Sequence, residues 1–408
     1  MNTASKGKIM CAIAGFCNFK ANFNDNAERW RSVLTEMRQT VFRRGPDGSG
    51  EYLQNHVGLS HARLAIRDIE GGIQPMIRGG KYAIVYNGEI YNSDEIKKEL
   101  EANGFKFETT SDTEVILNGF INYGAEKLVT KLNGIFAFVI WDGEKLFLFR
   151  DHLGVKPLFY TVKDDVLIFG SELKALFAHP DVTPVIGINS LREVFGLGPA
   201  RTPGNGVFED VHELLPGHYG IYDGFSAGAL KTVKYWSLQS RPYTGIGYEE
   251  TVEKVRWLVT DAIQRQMVSD VPVCSLLSGG VDSSIITAVA SDYLEKSGGK
   301  TLNTFSFDFK GNDEFFKGNE FQPERDRPYV EMMLDKYKLN HTYLECDEED
   351  LFELLFTSTD AKDLPGMADI DASLLYFCRK VKESNKVALT GECADETARI
   401  RWGWSKAA

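Results

Sequence analysis

"VPVCSLLSGGVDSS" (Val271–Ser284) decides the fold of the second half of this chain. The run "VPVCSLL" is apolar and of strand length, and the Ser-Gly-Gly behind it interrupts any continuation. "SSIITAVASDYLEK" (Ser283–Lys296) then takes helical spacing, and "TLNTFSFDF" (Thr301–Phe309) reads as a second strand. Strand, helix, strand at this separation is a βαβ unit, so a parallel sheet with helices on both faces is expected. The paired glycines, Gly279 and Gly280, let backbone approach an anion, and the helix start offers N–H donors. Ser278, Ser283 and Ser284 add hydroxyls. A plain helix cap by Asp282 and Ser283 is the simpler alternative. The serines and the aspartate in register after an apolar strand favour phosphate binding. A Walker A loop is excluded: its one candidate, Gly299-Lys300-Thr301, has Leu294 where the first glycine belongs.

Downstream, "VALTGECADET" (Val387–Thr397) is a buried-type strand ending in Thr-Gly, followed by Glu392, Asp395 and Glu396. Carboxylates just past a strand end suit magnesium, which takes oxygen ligands and substrate phosphates. Upstream, "YEETVEKVRWLVTDAIQRQMVSD" places Val252, Val255, Leu258, Val259, Ala262, Ile263 and Met267 on one helical face. Between residues 223 and 247 periodicity fades and Gly, Ser and Thr accumulate, as in a linker. Before it lie strand patterns at Lys81–Asn92, Gly134–Trp141, Lys145–Asp151 and Val166–Glu172. In the interleaved helix "NSDEIKKELEANG", Asn92 or Ser93 caps the start and Gly104 closes the end. The first half therefore reads as an α+β domain with antiparallel sheets.

The formal net charge of -12 over 408 residues opposes nucleic-acid binding and favours small-molecule chemistry. The six cysteines form no C-x-x-C pair, which argues against a disulfide framework or structural zinc. No apolar run is long enough to span a bilayer and no signal peptide is evident, so cytoplasmic location is expected. In "KIMCAIAGFCN" (Lys8–Asn18), Cys11 directly follows Met10. A cysteine that becomes the first residue carries its own base, an α-amine of pKa ~7.7–8.0. With any residue before it, that nitrogen is an amide and the base is gone. Residues 1–10 are accordingly expected to be a leader or a misassigned start.

Four blocks follow in order: "RRGPDGSG" (Arg43–Gly50), "SHARLAIRD" (Ser60–Asp68), "YNGEIYN" (Tyr86–Asn92) and "SDTEVIL" (Ser111–Leu117). With Met10-Cys11 they resemble the class II glutamine amidotransferase domain. "SGGVDSS" resembles the pyrophosphatase-type loop (PP-loop) of adenylating enzymes. "LLPGHY" (Leu214–Tyr219) and "KYW" (Lys234–Trp236) fit the junction, and the whole resembles the glutamine-hydrolysing asparagine synthetase family.

The resemblance implies an N-terminal nucleophile (Ntn) fold for residues 11–222 and an α/β PP-loop ATP-pyrophosphatase fold, adenine nucleotide alpha hydrolase-like, for 248–396. It implies Cys11 as nucleophile, Asn87 and Gly88 as oxyanion hole, and Arg63, Glu89 and Asp112 as further glutamine-binding residues. ATP would be held by Leu277, Ser278, Gly279, Gly280, Asp282, Ser283, Ser284, Phe307, Thr390 and Gly391. Glu392 would handle protons as ammonia attacks a β-aspartyl adenylate, and Asp282 and Asp395 would hold Mg2+. Ammonia would pass between the two sites, and the family commonly forms homodimers.

Past "ADE" the family continues at length, whereas residues 397–408 have no counterpart in it. The expectation is a C-terminally truncated chain whose glutamine hydrolysis is intact and whose asparagine synthesis is weak or absent. Alternatives are a glutaminase or non-catalytic subunit, or a synthetase of the same architecture acting on another carboxylate. A β-lactam-forming enzyme is disfavoured because it needs no ammonia. A tRNA-modifying enzyme is disfavoured by the negative charge.

Overall fold

The structure, a computed structural model, describes residues 10–224, 228–240, 245–318 and 324–392. The chain divides into two compact units, Met1–Arg241 with Leu355–Asp371, and Pro242–Leu354 with Ala372–Ala408.

In the first unit two six-stranded sheets form, with every strand pair antiparallel. One runs β10 (His212–Glu213), β8 (Phe159–Lys163), β9 (Val166–Gly170), β1 (Ala12–Cys17), β3 (Val57–Arg63), β2 (Gly48–Gln54). The other runs β12 (Lys231–Lys234), β11 (His218–Tyr222), β7 (Leu146–Arg150), β6 (Gly134–Trp141), β5 (Tyr82–Ile90), β4 (Met76–Arg78).

The alternation of side chains along each strand fixes the layers. On β1, Ile13 and Cys17 join Val85, Val139 and Leu148 of the other sheet in one apolar cluster. Ala12, Ala14 and Phe16 face the opposite way, onto Leu34 and Met37 of α1 (Ala27–Thr40). On the second sheet's outer face, Tyr86, Phe136 and Phe138 pack with Ile96 of α2 (Ser93–Ala102) and Val115 of α3 (Asp112–Lys131). The result is helix, sheet, sheet, helix, and β1 lies inside its sheet. Gly15 permits that seat: a Cβ there would stand 2.3 Å from the Gly58 carbonyl oxygen and 2.7 Å from the Phe169 ring.

The second unit holds a four-stranded parallel sheet, β15 (Leu339–Cys346), β14 (Leu302–Phe309), β13 (Val273–Leu276), β16 (Val387–Leu389). Val273 and Leu302 pack with Ile263 of α6 (Tyr248–Arg265) and Ala290 of α7 (Val281–Gly298). Cys274 and Phe305 face the other way, onto Phe377 of α11 (Ala368–Val381). Helices therefore cover both faces, as the βαβ reading requires. The remaining helices are α4 (Leu173–Phe177), α5 (Ile188–Leu197), α8 (Asn312–Phe315), α9 (Arg327–Lys336) and α10 (Glu348–Lys362).

Three local expectations change. Asn92 makes no cap bond to α2; its amide instead donates to Lys131 O at 2.9 Å and its oxygen accepts from Asn133 N at 2.8 Å. Within 223–247, Lys231–Lys234 forms β12 on β11, because Thr232 and Val233 complete that sheet's edge. Ile263 of α6 and Met267 just past its end are buried, but Val255, Leu258 and Val259 of the same expected face are exposed.

Candidate active sites

The first site is built on β1 and β5. Pairing of Ala12 with Ala62 brings Cys11 beside the end of β3, where Leu64 N donates to Sγ at 3.2 Å and the thiol donates back to Leu64 O at 3.4 Å. Arg44 Nε donates to Cys11 O at 3.1 Å while Arg44 Nη1 pairs with Glu172 at 2.8 Å. Burial pushes the thiol up to about 11. The bond with Leu64 acts in the opposite direction, Glu89 raises the value further, and Lys156 and Arg44 lower it. With Met10 still attached, Cys11 is a protonated thiol at neutral pH.

Asn87 lies on β5 opposite Ala137, buried, and its Nδ2 has no hydrogen-bond partner. A buried donor left open costs about 1–3 kcal/mol, so it suits an acceptor supplied by a ligand. Next to it, Gly88 is required by space: a Cβ would meet Ile135 O at 2.2 Å and the Phe136 Cα at 2.7 Å. Asp112 opens α3 and is buried. Its Oδ2 accepts from Tyr86 Oη at 2.9 Å and Ile90 N at 3.0 Å. Desolvation raises its pKa, against the pull of those bonds and of Arg67. Arg63 closes β3 with its guanidinium on the following loop: Nη1 donates to Ile69 O at 2.7 Å and Nη2 to Asp68 O. The part-buried Glu89 acts electrostatically on Cys11, Tyr86 and Lys156. His61 Nε2 meets Tyr86 O at 3.1 Å, and burial holds its pKa down to about 3, a neutral tie between β3 and β5.

Cys11, Glu89, Arg44 and Lys156 thus share one electrostatic neighbourhood, and Asn87, Gly88 and Glu89 share one strand. Sequence reading did not single out Arg44, Glu172, Arg67 or Lys156. Arg44 stands inside the quoted block "RRGPDGSG", but Lys156 sits in "DHLGVKPLFY", where nothing local separates it from a surface cation.

The second site lies at the C-terminal ends of the parallel strands. β14 and β16 flank β13 on opposite sides, so the turn after β13 opens at the sheet's switch point, the favoured place for ligands in such sheets. Ser278 N donates to Ser283 Oγ at 3.3 Å, the two hydroxyls are 3.1 Å apart, and Ser283 Oγ donates to Gly280 O at 3.1 Å. Gly279 takes φ +83, and a Cβ on it would stand 2.9 Å from Asp326 O. Gly280 is open, with only Ser278 Oγ near a Cβ, at 3.6 Å. Gly391 brings the end of β16 against α7, where its Cβ would lie 3.0 Å from that of Asp282. Thr390 Oγ1 accepts from Glu392 N at 3.2 Å.

Ser278, Ser306, Phe307, Asp308, Arg325 and Tyr343 line a cleft of about 290 Å³ beside this loop. Leu277 is buried, held by its N–H on Phe305 O at 2.8 Å, and Ser284 N caps on Gly280 O at 3.0 Å. Asp395 lies outside the described residues, and among those described no cluster of three potential metal ligands occurs.

Comparison with known proteins matches residues 10–236 to the glutamine amidotransferase domain and residues 254–400 to asparagine synthase. The chain is 46% identical to asparagine synthetase [glutamine-hydrolyzing] 3 of Bacillus subtilis, over 95% of this chain and 62% of that one. Asparagine synthetase [glutamine-hydrolyzing] 1 of the same organism is 33% identical over 95% of this chain and 58% of its own length. A putative asparagine synthetase [glutamine-hydrolyzing] 2 of Methanocaldococcus jannaschii is 31% identical over 95% of this chain and 75% of its own. The chain thus spans about three-fifths of the two Bacillus relatives. The two family matches and the relative covered over 75% of its length place this chain, with its cysteine at the head of β1 and its Ser-Gly-Gly turn after β13, in the family of glutamine-hydrolysing asparagine synthetases.

Proposed function

We propose that the first unit hydrolyses glutamine to glutamate and ammonia, and that the second uses ATP to activate aspartate for attack by that ammonia. The observation that carries the first half is the buried, unpartnered Asn87 amide on the strand whose Glu89 faces Cys11 electrostatically.

With Met10 removed, the Cys11 α-amine accepts the thiol proton and Sγ attacks the glutamine side-chain carbonyl carbon. Asn87 Nδ2 and the Gly88 N–H receive the oxyanion, donors fixed before charge develops there. The C–N bond breaks, the amine's proton leaves with the nitrogen as ammonia, and water hydrolyses the thioester to glutamate. Asp112 pairs with the substrate α-ammonium. Arg63, once drawn from the loop carbonyls, clamps the α-carboxylate. Glu89, two residues along β5 from Asn87, contributes to glutamine binding.

In the second unit the open Gly280, the left-handed Gly279 and the serine hydroxyls make a cradle for pyrophosphate. Leu277, Phe307, Thr390 and Gly391 border the nucleotide. Asp282 would hold magnesium, whose charge would offset that of the phosphates when it is bound. Glu392 would take a proton from the attacking ammonia. Residues 11–222, 223–247 and 248–396 are proposed as amidotransferase domain, linker and synthetase domain. A homodimer is proposed from the family alone, with light scattering as its check.

The test is glutamate release from glutamine by chain with Cys11 first, measured with and without aspartate and ATP, with asparagine and AMP followed in parallel. Glutamate without asparagine would reduce the function to a glutaminase; no glutamate would overturn the first half.

A further inference from the structure

We propose that Lys156 is a positioning residue of the glutaminase site, a cation that keeps the α-amine formed at Cys11 in its neutral, proton-accepting state. This rests on the reading that Cys11 becomes the first residue.

The lysine is held deliberately by its turn. Asp151, buried after β7, accepts from Leu153 N at 3.1 Å, Val155 N at 3.0 Å, Lys156 N at 3.0 Å and Phe136 N at 3.2 Å. That fixes the backbone of "DHLGVK" and sends the Lys156 side chain inward, where the residue is 8% exposed. Its Nζ ends 2.9 Å from Met10 Sδ, the side chain of the residue bonded to Cys11 N. A thioether is a weak acceptor, and burying an ammonium against one is a poor bargain for stability. Burial lowers the lysine to about 8, Arg44 adds to that, and Glu89, Cys11 and Asp151 oppose it. Glu172 is bound up with Arg44 and not with the lysine.

Removal of Met10 takes away the thioether and creates an amine at Cys11, a residue that already feels the lysine electrostatically. A free α-amine of pKa ~7.7–8.0 would be mostly protonated at neutral pH and unable to accept the thiol proton. A second positive charge within electrostatic reach in protein surroundings disfavours protonation by about one pKa unit or more. The same charge favours the thiolate, in the direction already visible at Cys11. Amine, thiol and lysine then titrate together, so the measurable quantity is the acid limb of the site.

The experiment uses chain initiated at Met10, with loss of that methionine verified by intact mass, and the variants Lys156→Met and Lys156→Arg. Two profiles are read from about pH 5.5 to 10: iodoacetamide alkylation of Cys11, by peptide mass, and kcat/KM for glutamate release. Lys156→Met should move both acid limbs up by about one pH unit, roughly tenfold slower near pH 6.5, with convergence above about pH 9. Lys156→Arg should keep the parental limb. Unmoved limbs in Lys156→Met, or an equal shift in Lys156→Arg, would overturn the proposal. Thermal melting should place Lys156→Met at or above the parent, since a buried charge is gone; if it fails to fold, Lys156→Gln replaces it. Parent chain that alkylates but releases no glutamate would sink the glutaminase reading alone, because the alkylation limbs still decide the role of Lys156.

Discussion

Asn87 and Asp112 are both buried polar residues, yet the structure predicts opposite consequences for neutralising or shortening them. Asn87→Ala deletes a donor that has no partner in the protein, so thermal stability should hold or rise slightly. Glutamate release should fall ~10²–10³-fold in kcat with little change in KM, the signature of a contact made to the oxyanion. Asp112→Asn keeps an acceptor for Tyr86 Oη and Ile90 N but loses the charge. The native carboxyl is held above its unfolded pKa by burial, so its contribution to stability is present at low pH and lost as pH rises through the raised value. Asp112→Asn should therefore melt above the parent at neutral pH, the two converging below about pH 4, the unfolded Asp value. KM for glutamine should rise ~30-fold or more, because the proposed partner of the α-ammonium is lost. Cys11, Asn87, Gly88 and Asp112 could be singled out as candidates because each sits in a contiguous block of sequence. Arg44 and Lys156 were not, since their contacts with Cys11 and Met10 span 33 and 146 residues and depend on tertiary packing.

Strands were legible where residue composition alone decides them. The β-branched and aromatic runs at Gly134–Trp141 and Val166–Glu172 became β6 and β9, whose alternate side chains enter different clusters. A helical period states that an apolar face exists and not what covers it. On α6 that difference has a measurable consequence. Ile263→Ala, at the covered end, should destabilise the second unit by ~2–4 kcal/mol. Val255→Lys, on the exposed part of the same face, should change it by no more than about 0.5 kcal/mol. Urea unfolding followed by far-UV circular dichroism checks both, and a large loss for Val255→Lys would show that its face is covered. Asn92 illustrates the converse limit. Its residue type is that of a helix cap, but bonds to Lys131 and Asn133, far along the chain, claim its side chain.

Across the whole molecule the two units differ in how much apolar surface they enclose. Among the described residues the first contains three large clusters in four layers, and the second two small ones. Burial supplies most of the stability, so the second unit should open first. Cys274 and Cys346 should accept a thiol reagent at lower urea than Cys17, with peptide mass mapping as the readout. Simultaneous labelling of all three would mean that the units unfold as one. The fold of each unit followed from strand and helix order; which unit is sturdier did not, because it depends on how many faces find a partner.

The placement of Asn87 and Gly88 in the interior of β5, paired with Ala137 and Phe136, makes that stretch intolerant of insertions and deletions. One residue added between Tyr86 and Asn87 would send the amide to the opposite face and put a side chain where only hydrogen fits. One residue added in the turn between β6 and β7, at Gly143 or Glu144, would leave every pairing of β5 intact. Changes in chain length can therefore accumulate at the hairpin tips of this protein while β5 keeps a fixed count, and an insertion scan reading glutamate release would show that contrast directly.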